Sequence, residues 1–284
     1  MQNFNKIIDL KFITGSKSFS IMTPRNGLKP DIKISGNITA KSYCEQFEIR
    51  VTNLFLNDLE NITDVQVSAG YENQVMAGLT GKVMAMYTAA PGPDKETVIM
   101  CNQGNFNSLI TKVINLKLKA GFSIKDVVDK LTQSLGFEPA IIDSSVINMT
   151  CAAPFYFNGL CNDALFQLKN CFEGVNFTVA GSQIKVFPLT AEMKSVIVHE
   201  LPFLTQAPQF TGGLVNLSTL WNPMIKCGDY VRFPTKFSTI QNIGALVSDV
   251  ARVESVQFNF STTSEDNDMQ ISGTLSSHLN KEVK

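Results

Sequence analysis

Apolar and polar positions alternate through the first hundred residues. Ile32-Lys33-Ile34 and Phe47-Glu48-Ile49-Arg50-Val51 carry the period of two that marks a half-buried strand. Val65, Val67 and Ala69 alternate again before Gly70, and the opening segment and the run KETVIMC at 95–101 continue the pattern. Turn-forming clusters separate these runs: Pro24-Arg25-Asn26-Gly27, Tyr71-Glu72-Asn73 and Pro91-Gly92-Pro93-Asp94. Only Phe55 to Leu59 reads as a short helix. Short strands with regular punctuation predict a barrel or sandwich.

The period changes in the middle. Ile124, Val127, Val128, Leu131 and Leu135 form one apolar helical face, with Ser123 and Asp126 placed to cap its start and Gly136 to end it. Cys161, Ala164, Leu165, Leu168 and Phe172 repeat the spacing, and Gly174 stops the second helix. Strand runs follow each helix: 140–142, then 175–179 and 184–186 around Gly181-Ser182. Helices with one apolar stripe must cover a sheet. From about 190 the strand pattern returns, in Val196 and Val198 and in Val256, Phe258 and Phe260. Gly212-Gly213, Asn222-Pro223 and Cys227-Gly228-Asp229 mark turns there, and 261–268 is a polar hairpin tip before a strand at 269–275. The expected organisation is a β domain at 1–105, a small α/β module with two helices at 106–190 and a second β domain at 191–284. No direct sequence repeat relates the two β ends.

Composition narrows the function classes. The 284 residues are 44% hydrophobic and 17% charged, with a net charge of −1. No broad basic surface exists to neutralise nucleic-acid phosphates, so sequence-specific nucleic-acid binding is not expected. The start, MQNFNKIIDLKFITG, lacks a signal-peptide pattern, and no apolar run is long enough for stable membrane insertion. The six cysteines, 44, 101, 151, 161, 171 and 227, form no metal-ligand spacing and read as free, mostly buried thiols. Only His199 and His278 could serve a cysteine nucleophile as base, and neither context suggests it.

Gly78-Leu79-Thr80-Gly81-Lys82 superficially resembles a phosphate-binding loop. The first required glycine falls on Met76 and the required hydroxyl on Val83, and turn residues rather than a helix follow, so the motif fails. Glu45/Glu48 and Asp266/Asp268 are carboxylate pairs better explained as solvated faces than as glycosidase or peptidase groups. Trp221 with Tyr230 could form a sugar platform, although Trp221 in a barrel core is the plainer reading. Expected catalytic, cofactor-binding and metal residues are therefore none, and no interface residue is assigned.

Four stretches in order carry a family resemblance: Val51-Thr52-Asn53-Leu54 before the short helix, Ala69-Gly70-Tyr71, the Gly92-Pro93-Asp94 hairpin before a strand ending near Gly104, and Trp221-Asn222-Pro223 leading to Gly228-Asp229-Tyr230-Val231-Arg232. The series resembles the hub proteins of phage tail baseplates, the late control or cell-puncturing hub group. The resemblance implies a mainly β chain in which two tail-tube-like β-barrels, related despite little shared sequence, flank the α/β module. It further implies a homotrimer without enzymatic activity or cofactor. Such a trimer adapts a hexameric tail tube to a central spike and touches other baseplate proteins. The chain would be made in the host cytoplasm and sit in the virion. Gly78 and Gly81 would then relieve strand crowding or mark a bulge, and Lys82 would be a strand-surface residue. The alternative is a carbohydrate-binding, adhesin-like β module of a tail tip.

Overall fold

The structure is a computed structural model that describes residues 6–15, 17–23, 31–39, 46–54, 59, 61–71, 74–89, 94–103, 111–180, 183–188, 198–211, 214–234, 249–263 and 268–275. The N-terminal part forms β1 (Lys6–Thr14), β2 (Lys17–Thr23), β3 (Ile32–Thr39), β4 (Gln46–Thr52), β5 (Asp64–Tyr71), β6 (Gln74–Ala89) and β7 (Glu96–Gln103). The middle carries β8 (Val113–Leu118), β9 (Phe122–Ser123), helix α1 (Ile124–Leu135), β10 (Glu138–Ile142), β11 (Thr150–Cys151), β12 (Phe155–Leu160), helix α2 (Cys161–Cys171), β13 (Val175–Ala180) and β14 (Gln183–Pro188). The C-terminal part adds β15 (Val198–Glu200), β16 (Gln209–Thr211), β17 (Leu214–Leu220), β18 (Tyr230–Arg232), β19 (Val250–Ser261) and β20 (Asp268–Leu275). The turns expected at 24–27, 72–73, 91–93, 181–182 and 212–213, the short helix at 55–58 and most of the polar tip (264–267) lie outside the described residues.

The strands of both chain ends join one 13-stranded sheet, in the order β16-β17-β20-β19-β3-β4-β7-β6-β5-β1-β2, with β18 pairing β19 and β15 pairing β18. Among the described residues no sheet closes on itself, so the expected pair of closed barrels is corrected to an open, continuous sheet. The alternating residues do what their period requires. Ile32, Ile34, Ile49, Val51, Val65 and Val67 are buried, in one core that also holds Trp221, Val253, Phe258 and Phe260 from the other chain end.

The middle module has its own core. Helix α1 starts as its sequence dictates: the Ser123 hydroxyl accepts from the Asp126 amide at 3.1 Å, the Asp126 carboxylate accepts from the Ser123 amide at 2.9 Å, and Gly136 ends the helix at φ 70°. That is a reciprocal cap, which satisfies two otherwise orphaned amides. Leu131, Leu165 and Leu168 are fully buried. The helices pack on the sheet β10-β14-β13, and two further antiparallel pairs, β8·β12 and β9·β11, were not anticipated from the pattern.

The two β ends repeat one another in register. β4 pairs β7 from Gln46↔Asn102 to Thr52↔Glu96, and β17 pairs β20 from Leu214↔Thr274 to Leu220↔Asp268. Lys82↔Asn102 and Val83↔Cys101 in β6·β7 match Arg252↔Thr274 and Val253↔Gly273 in β19·β20. Each ladder then skips a single residue, Met84 in one and Glu254 in the other, before resuming at Ala85↔Met100 and Ser255↔Ser272. Asp64↔Lys82 likewise matches Tyr230↔Arg252. Even a turn bond recurs: the Val83 amide donates to the Thr63 carbonyl at 2.9 Å, and the Val253 amide to the Asp229 carbonyl at 2.8 Å. The correspondence stops at the first strand, because β1 runs antiparallel to β5 whereas β15 runs parallel to β18.

Candidate functional site

The long strands β6 and β19 occupy equivalent places but differ in what covers their second halves. Along β19, residues Ser255 to Ser261 pair with β3, from Ser255↔Thr39 to Ser261↔Lys33. This joint ties the two chain ends together. Phe258 lies over Gly36 so closely that a Cβ there would stand 2.4 Å from the ring and 3.0 Å from the Gln46 carbonyl oxygen. Past the strand end, the Thr262 amide donates to the Ile32 carbonyl and the Ile32 amide to the Thr262 hydroxyl, both at 3.0 Å. Along β6, the ladder with β5 ends at Lys82, and among the described residues no strand pairs that edge of Met84–Ala89. Accordingly Thr88 is exposed and Met86 half-buried, whereas their counterparts Phe258 and Val256 are buried. Among the described residues the outer edges of β16 and β2, at the two ends of the sheet, are unpaired as well. Unpaired strand edges present rows of free amides and carbonyls and act as templates for another strand.

A half-buried polar cluster fixes the middle module to the C-terminal strands. Lys185 Nζ lies 3.1 Å from Asp229 Oδ1, His199 Nε2 lies 3.3 Å from Asp229 Oδ2, and the Lys226 amide donates to Oδ2 at 2.9 Å. Burial alone would raise the pKa of the Asp229 carboxyl. The bond to His199, the charge and bond of Lys185 and the Lys226 amide outweigh it and hold the carboxyl below its ordinary 3.8. Nearby, Arg252 donates to the Pro188 carbonyl at 2.7 Å, grips Glu254 and lies over the Phe187 ring at 5.2 Å. Lysine, aspartate and histidine here face one another and tie β14 and β15 to the turn before β18.

The residues singled out from sequence fall elsewhere. Gly78 to Lys82 lie inside strand β6, not at the start of a helix, and Lys82 is exposed. Gly78 sits at the irregularity in β5·β6, where a Cβ would meet the Val67 carbonyl at 2.1 Å; at Gly81 a Cβ would meet the Phe47 ring at 2.6 Å. Close approach of the neighbouring backbone at Gly78 and of the Phe47 ring at Gly81 therefore accounts for both glycines. Trp221 is buried against Phe260, with ring centroids 4.9 Å apart, and Tyr230 is fully buried. The cleft beside Trp221 holds about 10 Å³, room for one water and not for a sugar ring, so the sugar platform is corrected to core packing. Glu48 pairs with Arg50; Glu45 and Asp266 lie outside the described residues. Cys101, Cys151, Cys161, Cys171 and Cys227 are free thiols, with Cys101 pushed up to about 12 by burial and Cys161 likewise to about 12, against the charge of Lys112. Cys44 and His278 are outside the described residues. Among the described residues no three His, Cys, Asp or Glu side chains converge as a metal would need, and no helix is long and apolar enough to cross a membrane. The sequence pattern missed the repeated register, the unpaired edges and the Asp229 cluster.

No family model matches this sequence, and no curated protein matches it. Solved structures do. The 43 kDa tail protein of prophage MuSo2 from Shewanella oneidensis matches with a TM-score of 0.57 at 11% identity, over 96% of this chain and 97% of that one. A tail protein from Neisseria meningitidis matches at 0.60 and 8% identity, over 95% and 96%. The fold is that of phage tail proteins. An Escherichia coli component of the type VI secretion system, itself structurally similar to the bacteriophage T4 tail proteins gp27 and gp5, matches at 0.54 and 9% identity, over 95% of this chain and 77% of that one.

Proposed function

We propose that this chain is a structural hub of a phage or phage-like tail. Three copies form a ring that joins a hexameric tail tube to a central spike and contacts other baseplate proteins. Each chain contributes two tube-like units, 1–105 and 191–284, with the module at 106–190 set between them. The observation that carries this reading is the register repeat, down to the skipped residues Met84 and Glu254. Two quasi-equivalent halves per chain, taken three times, offer six similar surfaces on one side while the chain itself keeps threefold symmetry. The role is mechanical and calls for no catalytic residue, cofactor or metal. The chain is made in the host cytoplasm and works in the tail baseplate of the virion. Its mass in solution tests the reading: light scattering and native mass spectrometry should find three chains per particle. A particle of one chain at every concentration would overturn it.

A further inference from the structure

We infer that the second half of β6, unpaired on one edge among the described residues, pairs antiparallel in one copy with the outer edge of β16 in the next copy, in the register Tyr87↔Thr211, Thr88↔Phe210 and Ala89↔Gln209. The inference rests on the hub reading and names the joint that closes its ring. The chain's own internal joint supplies the register. β19 and β6 correspond residue for residue, so Gln257 stands where Tyr87 stands and Phe258 where Thr88 stands. β3 and β16 also correspond: Asn37↔Gln46, Gly36↔Phe47 and Ser35↔Glu48 match Thr211↔Leu214, Phe210↔Val215 and Gln209↔Asn216. In the internal joint β19 pairs β3 through Gln257↔Asn37, Phe258↔Gly36 and Asn259↔Ser35. Carrying each residue to its counterpart yields the register above.

The side chains fit this transfer. In the internal joint a large residue on the long strand, Phe258, covers a glycine on the short one. In the proposed joint the sizes are exchanged, with a small Thr88 on the long strand facing Phe210 on the short one. Both strands carry the edge they need: among the described residues no strand pairs β6 beyond Lys82 on that side or the outer side of β16, and Thr88, Gln209 and Thr211 are exposed. The partner is a second copy of this chain because only a copy carries the β16 edge in the place that the internal joint assigns to β3. The contact is head-to-tail, and such contacts either close a ring or continue as a filament.

Cysteine pairs read the register directly. Facing residues on antiparallel strands stand about 4.5–5.5 Å apart at Cα, within reach of a disulfide, whereas a slip of two residues carries them beyond about 7 Å. The full-length variant Tyr87→Cys/Thr211→Cys, oxidised and run without reductant, should give a ladder of two- and three-chain bands. The slipped pair Tyr87→Cys/Gln209→Cys should give roughly tenfold less. Mixing the two single variants should give two-chain bands only. Ala89→Cys/Gln209→Cys is a second in-register pair, should the first fail to fold. Native mass is measured on the same samples. A three-chain particle in which neither in-register pair cross-links, or in which the slipped pair cross-links as well, would overturn the joint and leave the hub reading standing. Cross-links confined within one chain would also overturn the joint. A single-chain particle would overturn both.

Discussion

Asp229 holds three neighbours with one carboxylate: the Lys185 ammonium, the His199 ring and the Lys226 amide. Its side chain is 13% exposed, so these contacts are only weakly screened. Because the folded carboxyl titrates below its ordinary 3.8, the folded state gains stability from the ionised form. That gain is complete above the ordinary value and is lost as pH falls through the lower folded value. Asp229→Asn should therefore lower stability at pH 7 by about 1–3 kcal/mol, the worth of hydrogen bonds to a charged group. The gap between variant and parent should narrow as pH falls below 3.8, and denaturant titrations at several pH values measure it. A gap that stayed constant into strong acid would mean that the carboxylate charge contributes nothing at this clamp. None of this was visible in the sequence, because Lys185, His199 and Asp229 are brought together only by the packing of β14 and β15 beside the turn before β18.

Individual strands show which parts of the fold the sequence could reveal. Helix α1 was legible from its spacing and its Ser123 and Gly136 ends, since a helix states its period and its caps locally. β8 and β12 were not, because exposed apolar residues blur their alternation: Val113 is 65% and Tyr156 69% exposed. The repeat was hidden for another reason. Between 82–88 and its counterpart 252–258 only Val83 and Val253 are identical, so hydrogen-bond register is kept while side chains drift. The drift is compensated in volume. Gly81 lies beneath Phe47 in one half, and its counterpart Ala251 goes with Val215, the counterpart of Phe47, in the other. Gly81→Ala should cost about 1–3 kcal/mol by overpacking. Adding Phe47→Val should recover part of that loss, making the double variant more stable than the sum of the single effects by at least about 0.5 kcal/mol. Simple additivity in urea unfolding would show that the two positions do not share one space.

At the scale of the molecule the described residues fill two cores. Both ends fill one, through the β3·β19 joint, and the middle module fills the other. Each core has a private reporter. Trp221, the single tryptophan, is buried in the sheet core. Helices α1 and α2 belong to the module. A charge forced into the module should thus be felt first by the helices. Leu131→Asp and Leu168→Asp each place a carboxylate at a fully buried position without a partner, which costs more than about 3 kcal/mol. The far-ultraviolet helical signal should melt at a lower temperature in both variants, while Trp221 emission keeps nearly its parent midpoint. The clamp at Asp229 and Arg252 transmits some of the loss, so the Trp221 midpoint should move by less than half as much as the helical one. Coincident shifts of the two signals would mean that the module and the sheet unfold as one unit. A helical signal unmoved by either substitution would mean that Leu131 and Leu168 do not face the core.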